Sequence, residues 1–170
     1  PVVSSDGLTV LYASKARIGS STANSYNIWS MNFDGTGKGY LTSNTASSLD
    51  STNPKFSPDG GMIAFQSLMK IGGVTSSSDN IWTMDANGLN QVYLTNNTAA
   101  GLDSQMPAFS PDGSKIAFYS LMDVGGSASS SNNIFVINAD GTGTPTAVTQ
   151  NTSSGLDSYL GPQNVWYSPN

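Results

Sequence analysis

The sequence predicts an all-β protein, and three observations support this prediction. The 170 residues include no Glu, no His and no Cys, and Gly, Asn or Ser interrupts every window long enough for an amphipathic helix. Short runs of β-branched and aromatic residues lie between these interruptions, as is typical of strands. A block of about 53 residues also recurs along the chain, which indicates a tandem array of small sheets.

The repeat is clearest in two motifs. A Phe-Ser-Pro-Asp-Gly motif occupies residues 56–60 and returns at residues 109–113. A motif of Asn, Ile and an aromatic residue occurs once in each block, at residues 27–29, 80–82 and 133–135. Both motifs keep the same spacing of 53 residues, so the blocks are copies of one structural unit.

The spacing divides the chain into three units and the start of a fourth, at residues 1–53, 54–106, 107–161 and 162–170. The first unit is the most divergent, because residues 3–7 read Val-Ser-Ser-Asp-Gly in place of the motif in the other two. The fourth contains only the counterpart of a first strand, at residues 165–168.

Each unit is predicted to form four strands. In the middle unit these are residues 55–57, 62–67, 80–84 and 91–95. A Pro-Asp-Gly turn joins the first two strands, because Pro presets φ and Gly accepts a positive φ. An Asn-Gly turn after Asp85 joins the last two strands. Tight turns make neighbouring strands antiparallel, so each unit is expected to be a four-stranded meander.

Stacking such sheets around an axis forms a β-propeller, which buries faces that a single small sheet leaves bare. The succession of Phe-Ser-Pro-Asp-Gly, Ile-Ala-Phe, Asn-Ile-Trp and Leu-Thr resembles the TolB-type, WD40-like β-propeller repeat. That repeat is related to those in the propellers of prolyl-oligopeptidase-like enzymes. The resemblance covers nearly the whole chain and implies three propeller blades that serve as a binding platform, without implying any particular activity.

Three blades are too few to close a propeller, since closed rings usually have at least four. An open stack would expose two apolar sheet faces, which soluble proteins avoid. We therefore expect self-association, either as a homodimer that completes six blades or within a larger ring or assembly. The strand at residues 165–168 would compete in such a ring with residues 2–4, unless the chain belongs to a longer array.

The composition excludes several classes of function. Without His or Cys the chain has no disulfide, no Ser-His-Asp triad and no ordinary zinc site. Six basic residues against eleven acidic ones argue against nucleic-acid binding, and no apolar run is long enough to span a membrane. The low charge and the abundance of Ser, Thr and Asn indicate an extracellular or periplasmic protein.

Nine of the eleven Asp residues recur by repeat position, which indicates structural roles. The first set is predicted in the Pro-Asp-Gly-type turns and comprises Asp6, Asp59 and Asp112. The second is predicted to start the second hairpin turns and comprises Asp34, Asp85 and Asp140. Only Asp79 and Asp123 stand outside the threefold pattern. Carboxylates in near-identical surroundings do not form the unequal pair that acid–base catalysis needs.

The third set, Asp50, Asp103 and Asp157, lies in the links between units. One interpretation is that each carboxylate accepts backbone or Ser hydrogen bonds and ties one blade to the next. The other is a ring of oxygen ligands around the axis that holds Ca²⁺. No EF-hand spacing is present, so the sequence predicts either no cofactor or a Ca²⁺ ion held through the fold.

Four charged residues in the long loops between the second and third strands are the candidates for ligand binding: Lys15, Arg17, Lys70 and Asp123. Their charge varies where the framework repeats, and long loops at one end of a rigid scaffold commonly bind ligands. The alternative is that they are solvated loop residues.

These features favour a non-catalytic, extracytoplasmic binding or scaffold module that presents its long loops to a protein or a glycan after self-association. An alternative is a structural subunit that polymerises through its bare sheet faces into a ring or filament. A propeller-type lyase or glycosidase is a third hypothesis, but it would depend on Asp, Lys, Tyr or a metal alone.

Overall fold

The computed structural model of the protein describes residues 1–126 and 129–158. All the regular secondary structure within these residues is β-strand, so the all-β prediction is confirmed. In the described part of the chain there is accordingly no helix that could span a membrane. The strand predicted at residues 165–168 lies outside the described residues.

The described residues form twelve strands in three sheets of four. Sheet 1 contains β1 (Val2–Val3), β2 (Thr9–Ser14), β3 (Asn27–Asn32) and β4 (Gly39–Tyr40). Sheet 2 contains β5 (Ser51–Phe56), β6 (Met62–Ser67), β7 (Asn80–Asp85) and β8 (Val92–Tyr93). Sheet 3 contains β9 (Ser104–Phe109), β10 (Lys115–Ser120), β11 (Asn133–Asn138) and β12 (Thr146–Ala147). The strands pair in chain order and antiparallel, so each sheet is a meander.

The first strand of sheet 2 starts at Ser51, four residues before the predicted start. Its pairing with β6 shifts between Thr52 and Lys55, and Asn53 there adopts a positive φ of 52°. Pro54 lacks an N–H for the ladder, so an irregularity at this point lets the strand continue past it. The fourth strand has only two residues, which is shorter than predicted.

The first turn of each sheet depends on an Asp carboxylate, as expected. Asp59 Oδ1 accepts hydrogen bonds from Ser57 Oγ at 2.6 Å and from the Gly61 N–H at 3.0 Å. Gly60 supplies the positive φ of 75°. Asp112 makes the same bonds with Ser110 and with the Ser114 N–H. These bonds explain why the sequence needs Ser, Asp and Gly at fixed offsets.

The second hairpin turn of sheet 2 begins at Asp85, as predicted, because the Asp85 carbonyl accepts the Gly88 N–H at 2.9 Å. The side chain that holds this turn nevertheless differs between the sheets. Asp34 and Asp140 hold it in sheets 1 and 3, each accepting the N–H two residues later. In sheet 2 the same position belongs to Asn87, whose Oδ1 accepts the Leu89 N–H at 3.0 Å. Asp85 is also the last residue of β7, opposite Met62, and its Oδ2 accepts a hydrogen bond from Asn90 Nδ2 at 2.7 Å. The turn accepts either side chain, because both Asn and Asp bond to their own backbone two residues on.

The core consists of two apolar clusters, one at each junction between sheets. At the first junction the sheet 1 residues Leu11 and Ile28 pack against Phe65 and Trp82 of sheet 2. At the second junction the opposite face of sheet 2 packs against sheet 3, and its contributors are Ala64, Ile81 and Leu94. Alternation along each strand thus places one set of side chains in each junction.

The first strands of successive sheets lie close to each other, β1 beside β5 and β5 beside β9. The sheets are therefore arranged with their first strands inward, as propeller blades are. Sheets 1 and 3 each have a neighbour on one face among the described residues.

Acid is expected to destabilise the protein through its turns, and Asp112→Asn should reduce the effect. The bond from Ser110 and those from Ser114 lower the pKa of Asp112 from 3.8 to about 2. This carboxylate therefore stabilises the fold above pH 3.8, and the contribution is lost as the pH falls through about 2. Thermal melting at several pH values should show a smaller decline between pH 4 and 2 in the variant. Parallel profiles would contradict the assignment, and Asp123→Asn controls for loss of one exposed loop charge.

Candidate functional site

The long loops and the inter-sheet links share one end of the sheets, which we call the loop end. The loops join the second strand of each sheet to the third and span residues 15–26, 68–79 and 121–132. The links join the fourth strand of one sheet to the first strand of the next, and both turns of each sheet lie at the opposite end, the turn end. The loop end therefore contains the most irregular backbone, whose N–H and C=O groups need hydrogen-bond partners outside the strand ladders.

A fully buried Asn organises the loop end of sheet 2. Asn80 Nδ2 donates to the carbonyls of Ser78 and Asn97 at 3.0 and 2.9 Å. Its Oδ1 accepts from Thr95 Oγ1 at 3.0 Å and from the Asn97 N–H at 2.6 Å. One side chain therefore fastens the loop before β7 to the link after β8, and its amide is satisfied on both sides.

The link is held by a second layer of bonds. Ser78 Oγ donates to the Ala99 carbonyl at 2.7 Å and accepts the Leu102 N–H at 3.0 Å. Asn97 Nδ2 donates to Ser104 Oγ at 2.8 Å, which reaches the first strand of the next sheet. Consecutive sheets are therefore connected by buried polar contacts as well as by apolar packing.

The same bonds recur in the other two sheets around Asn27 and Asn133. The sequence analysis used these Asn residues only as markers of the repeat and missed their role. The available signal was the pairing of each Asn with a later Thr-x-Asn sequence, at residues 42–44, 95–97 and 149–151. Polar residues kept at identical offsets in every copy indicate a buried hydrogen-bonded group.

The linking Asp residues each accept one backbone N–H at the start of a third strand. Asp50 Oδ1 accepts from Tyr26 at 2.7 Å, Asp103 from Asp79 at 2.8 Å and Asp157 from Asn132 at 2.8 Å. Within residues 1–126 and 129–158 no group of three acidic side chains could hold a metal ion. Asp50 and Asp103 each precede the first strand of the next sheet, so these bonds tie that link to the third strand of the preceding sheet.

The four predicted ligand-binding residues do not form one site, because each has different neighbours. Lys15 Nζ lies 4.7 Å from the centre of the Tyr26 ring, which is a cation–π contact. Arg17 donates to the Ser20 carbonyl within its own loop. Lys70 and Asp123 are exposed at equivalent positions of the second and third loops. In the described part of the chain no hydrogen bond joins any two of these four side chains.

A pocket of about 360 Å³ lies between sheets 1 and 2, near the loop end. Its lining residues come from both sheets and include Tyr12, Tyr26, Asn53 and Lys55. The Asn53 amide donates to Gln66 Oε1 at 2.7 Å. The small side chain of Ala13 forms part of the same wall. Lys15, through its contact with Tyr26, is the predicted site residue that belongs to this region.

The corresponding place between sheets 2 and 3 is filled by side chains. Gln66 stands where sheet 1 has Ala13, and Asp79 stands where sheet 1 has Tyr26. Asp79 Oδ2 accepts from Gln66 Nε2 at 3.0 Å and from Gln105 Nε2 at 2.7 Å. The two junctions thus share a framework, but one is closed by an amide–carboxylate network and the other contains a pocket.

Asp79 is the one carboxylate whose pKa the fold raises among the described Asp residues with a clear shift. Burial is the largest cause, and the hydrogen bond from Gln105 opposes it. The negative charges of Asp103 and Asp50 raise the pKa further, while the bond from Gln66 lowers it. The sequence marked Asp79 as an exception to the repeat but gave it no role, because its partners Gln66 and Gln105 belong to two different sheets.

Comparison with known structures identifies the architecture. A structure described as a TolB from Agrobacterium tumefaciens has a TM-score of 0.59 and 23% identity, covering 85% of this chain and 46% of its own. The chain has a β-propeller fold. TolB from Acinetobacter baumannii matches with a TM-score of 0.58 and 22% identity, covering 86% of this chain and 31% of its own. The predicted resemblance to TolB-type blades is therefore confirmed at the level of the fold.

The same fold occurs in proteins of other names. Oligogalacturonate lyase from Vibrio parahaemolyticus matches with a TM-score of 0.59 and 14% identity, covering 89% of this chain and 39% of its own. No protein-family model and no curated protein matches the chain. The chain spans less than half the length of each of these three structures.

Removing the buried amide of sheet 2 should destabilise the protein strongly. In Asn80→Ala the Thr95 hydroxyl and the Asn97 N–H lose their acceptor, and each buried group left unpaired costs about 1–3 kcal/mol. We expect the free energy of unfolding in urea to fall by roughly 2–4 kcal/mol. The control is Asn96→Ala, which alters an exposed neighbour and should change it by less than about 0.5 kcal/mol. Equal effects of the two substitutions would contradict the role of Asn80.

Proposed function

We propose that this chain is a non-catalytic binding or scaffold module outside the cytoplasm, which presents its loop end to a glycan or a protein. The pocket between sheets 1 and 2 is the proposed ligand site. The observation that supports it is the difference between the two junctions. Gln66, Asp79 and Gln105 close one junction, whereas Ala13 and Tyr26 leave space in the other.

The lining favours an acidic glycan. Concave sites with aromatic walls and a few convergent polar groups are typical of small-molecule recognition. The lining residues include the aromatic Tyr26 and the cationic Lys55. The whole chain has a net charge of −5, so an acidic ligand would be repelled from most of its surface and attracted where Lys15 and Lys55 lie.

The absence of catalysis is proposed from the residue types. The chain contains no His, Cys or Glu, the residues that most often act as acid, base or nucleophile beside Asp. Asp79 has a raised pKa, but the Gln66 and Gln105 amides both donate to its Oδ2. A carboxylate engaged in this way is suited to joining two sheets. The extracellular or periplasmic location is proposed from the low charge and the abundance of Ser, Thr and Asn.

Titration calorimetry with oligogalacturonides, and with neutral oligosaccharides of the same length, tests this proposal. We expect the acidic oligomers to bind more tightly. Lys55→Gln should weaken their binding by about tenfold, equivalent to roughly 1.4 kcal/mol, through loss of the charge. Ala13→Gln should weaken it as much by placing in this wall the side chain that sheet 2 has at the same position.

Lys70→Gln is the matched control, since Lys70 is an exposed loop-end cation that does not line the pocket. Equal affinity in Lys55→Gln and Lys70→Gln would argue against the pocket, as would the absence of binding to any oligosaccharide. Cleavage of the oligomers during the titration would show that the protein is an enzyme and would refute the non-catalytic role.

A further inference from the structure

We propose that a second copy of this chain docks head to tail, with the outer face of sheet 3 in one copy against the outer face of sheet 1 in the other. Two such contacts would close a ring of six sheets. The inference concerns the turn end and the outer faces, and it stands or falls independently of the pocket. The two internal junctions show which kind of sheet face packs against which, and the outer faces are compared with them.

Each internal junction joins two different kinds of face. The preceding sheet contributes a face with few large side chains, such as Ala64 and Ile81 of sheet 2. The following sheet contributes a face with large side chains, such as Phe118 and Phe135 of sheet 3. The first junction has the same polarity, because sheet 2 presents Phe65, Trp82 and Met84 to sheet 1.

The outer faces of the chain are one face of each kind. The outer face of sheet 1 holds the large set, at the positions equivalent to Ile63, Phe65, Trp82 and Met84: Val10, Tyr12, Trp29 and Met31. The outer face of sheet 3 holds the counterparts of Ala64, Ile81 and Thr83: Ala117, Ile134 and Val136. The outer face of sheet 1 is therefore of the kind that, at both internal junctions, packs against a face like the outer face of sheet 3.

The exposed part of these faces is at the turn end, since Val10, Trp29 and Ala117 are already buried in the single chain. Leu94 of sheet 2 is 7% exposed because it packs against sheet 3, whereas its counterpart Val148 is 62% exposed. Ala139 of sheet 3 is 4% exposed because it packs against sheet 2, whereas its counterpart Phe33 is 64% exposed. Each exposed residue occupies a position that is buried at an internal junction.

The side chains at the two outer faces also compensate in size. The second internal junction pairs a Leu with an Ala, while the outer faces offer Val148 and Phe33. Beside Val148 the structure contains an open cavity of about 450 Å³, whose lining combines the apolar Val136 and Ile137 with the polar Lys115, Asn138, Thr142, Thr144 and Thr146. The smaller Val leaves room at the outer face of sheet 3, and the larger Phe33 of a second copy would fill it.

A close glycine approach repeats at both internal junctions and is unused at the outer face. A Cβ on Gly88 would lie 3.0 Å from the Leu41 carbonyl oxygen of sheet 1. A Cβ on Gly141 would lie 3.3 Å from Leu94 Cδ2 of sheet 2. A Cβ on Gly35, the equivalent residue of sheet 1, would meet nothing within 4 Å. By analogy with Leu41 beside Gly88 and Leu94 beside Gly141, the residue that would contact Gly35 is Val148 of a second copy.

Light scattering coupled to size exclusion tests the arrangement through a charge pair. At micromolar concentration we expect the protein at twice the mass of the 17.6 kDa chain. Phe33→Lys and Val148→Asp should each halve that mass, because every contact in those assemblies buries an unpaired charge. Mixing the two variants should restore the doubled mass, since one contact is then unaltered and the other brings opposite charges together.

Leu89→Lys is the control, because Leu89 is equally exposed at the turn end of sheet 2 but lies on neither outer face. It should keep the doubled mass, and melting curves of all variants report whether the sheets remain folded. A wild-type protein at the single-chain mass would overturn the inference. So would a mass that grows steadily with concentration, which indicates a filament, or a Phe33→Lys variant that associates normally, which indicates pairing of like faces.

Discussion

A buried amide at the start of each third strand is the interaction on which the loop end of this protein depends. Asn80 is inaccessible to solvent, and it satisfies backbone groups from both the loop before it and the link after it. Irregular backbone inside a protein is stable only where its polar groups find partners. Because this side chain supplies them, loops rich in Ser and Gly can lie at the end of each sheet without unfolding the strands beneath.

The junctions between sheets show how copies of one framework come to differ. The turns and the buried amides recur almost unchanged, whereas residues on facing edges vary in size and charge. At one junction the variation produces the network of Gln66, Asp79 and Gln105, and at the other it leaves a pocket beside Tyr26 and Lys55. Structural roles thus belong to the repeated positions, and any ligand specificity belongs to the positions that differ.

The packing also gives the chain a direction. At each junction the preceding sheet contributes aliphatic side chains and the following sheet contributes aromatic ones, so each junction joins unlike faces. An arrangement of this kind leaves unlike faces at the two ends of any array. Hydrophobic burial then favours a neighbour at each end, and the polarity of the faces restricts that neighbour to one orientation.

The sequence by itself determined the features that depend on local contacts and on spacing. The 53-residue repeat predicted the sheets and the first turns, because turn chemistry acts within a few residues. Only the tertiary structure decided where β5 begins, that Asn87 takes the turn position that Asp34 and Asp140 hold in the other sheets, and that Ala13 and Lys55 line one pocket. These features depend on register and on contacts between sheets, which join residues that lie far apart in the chain.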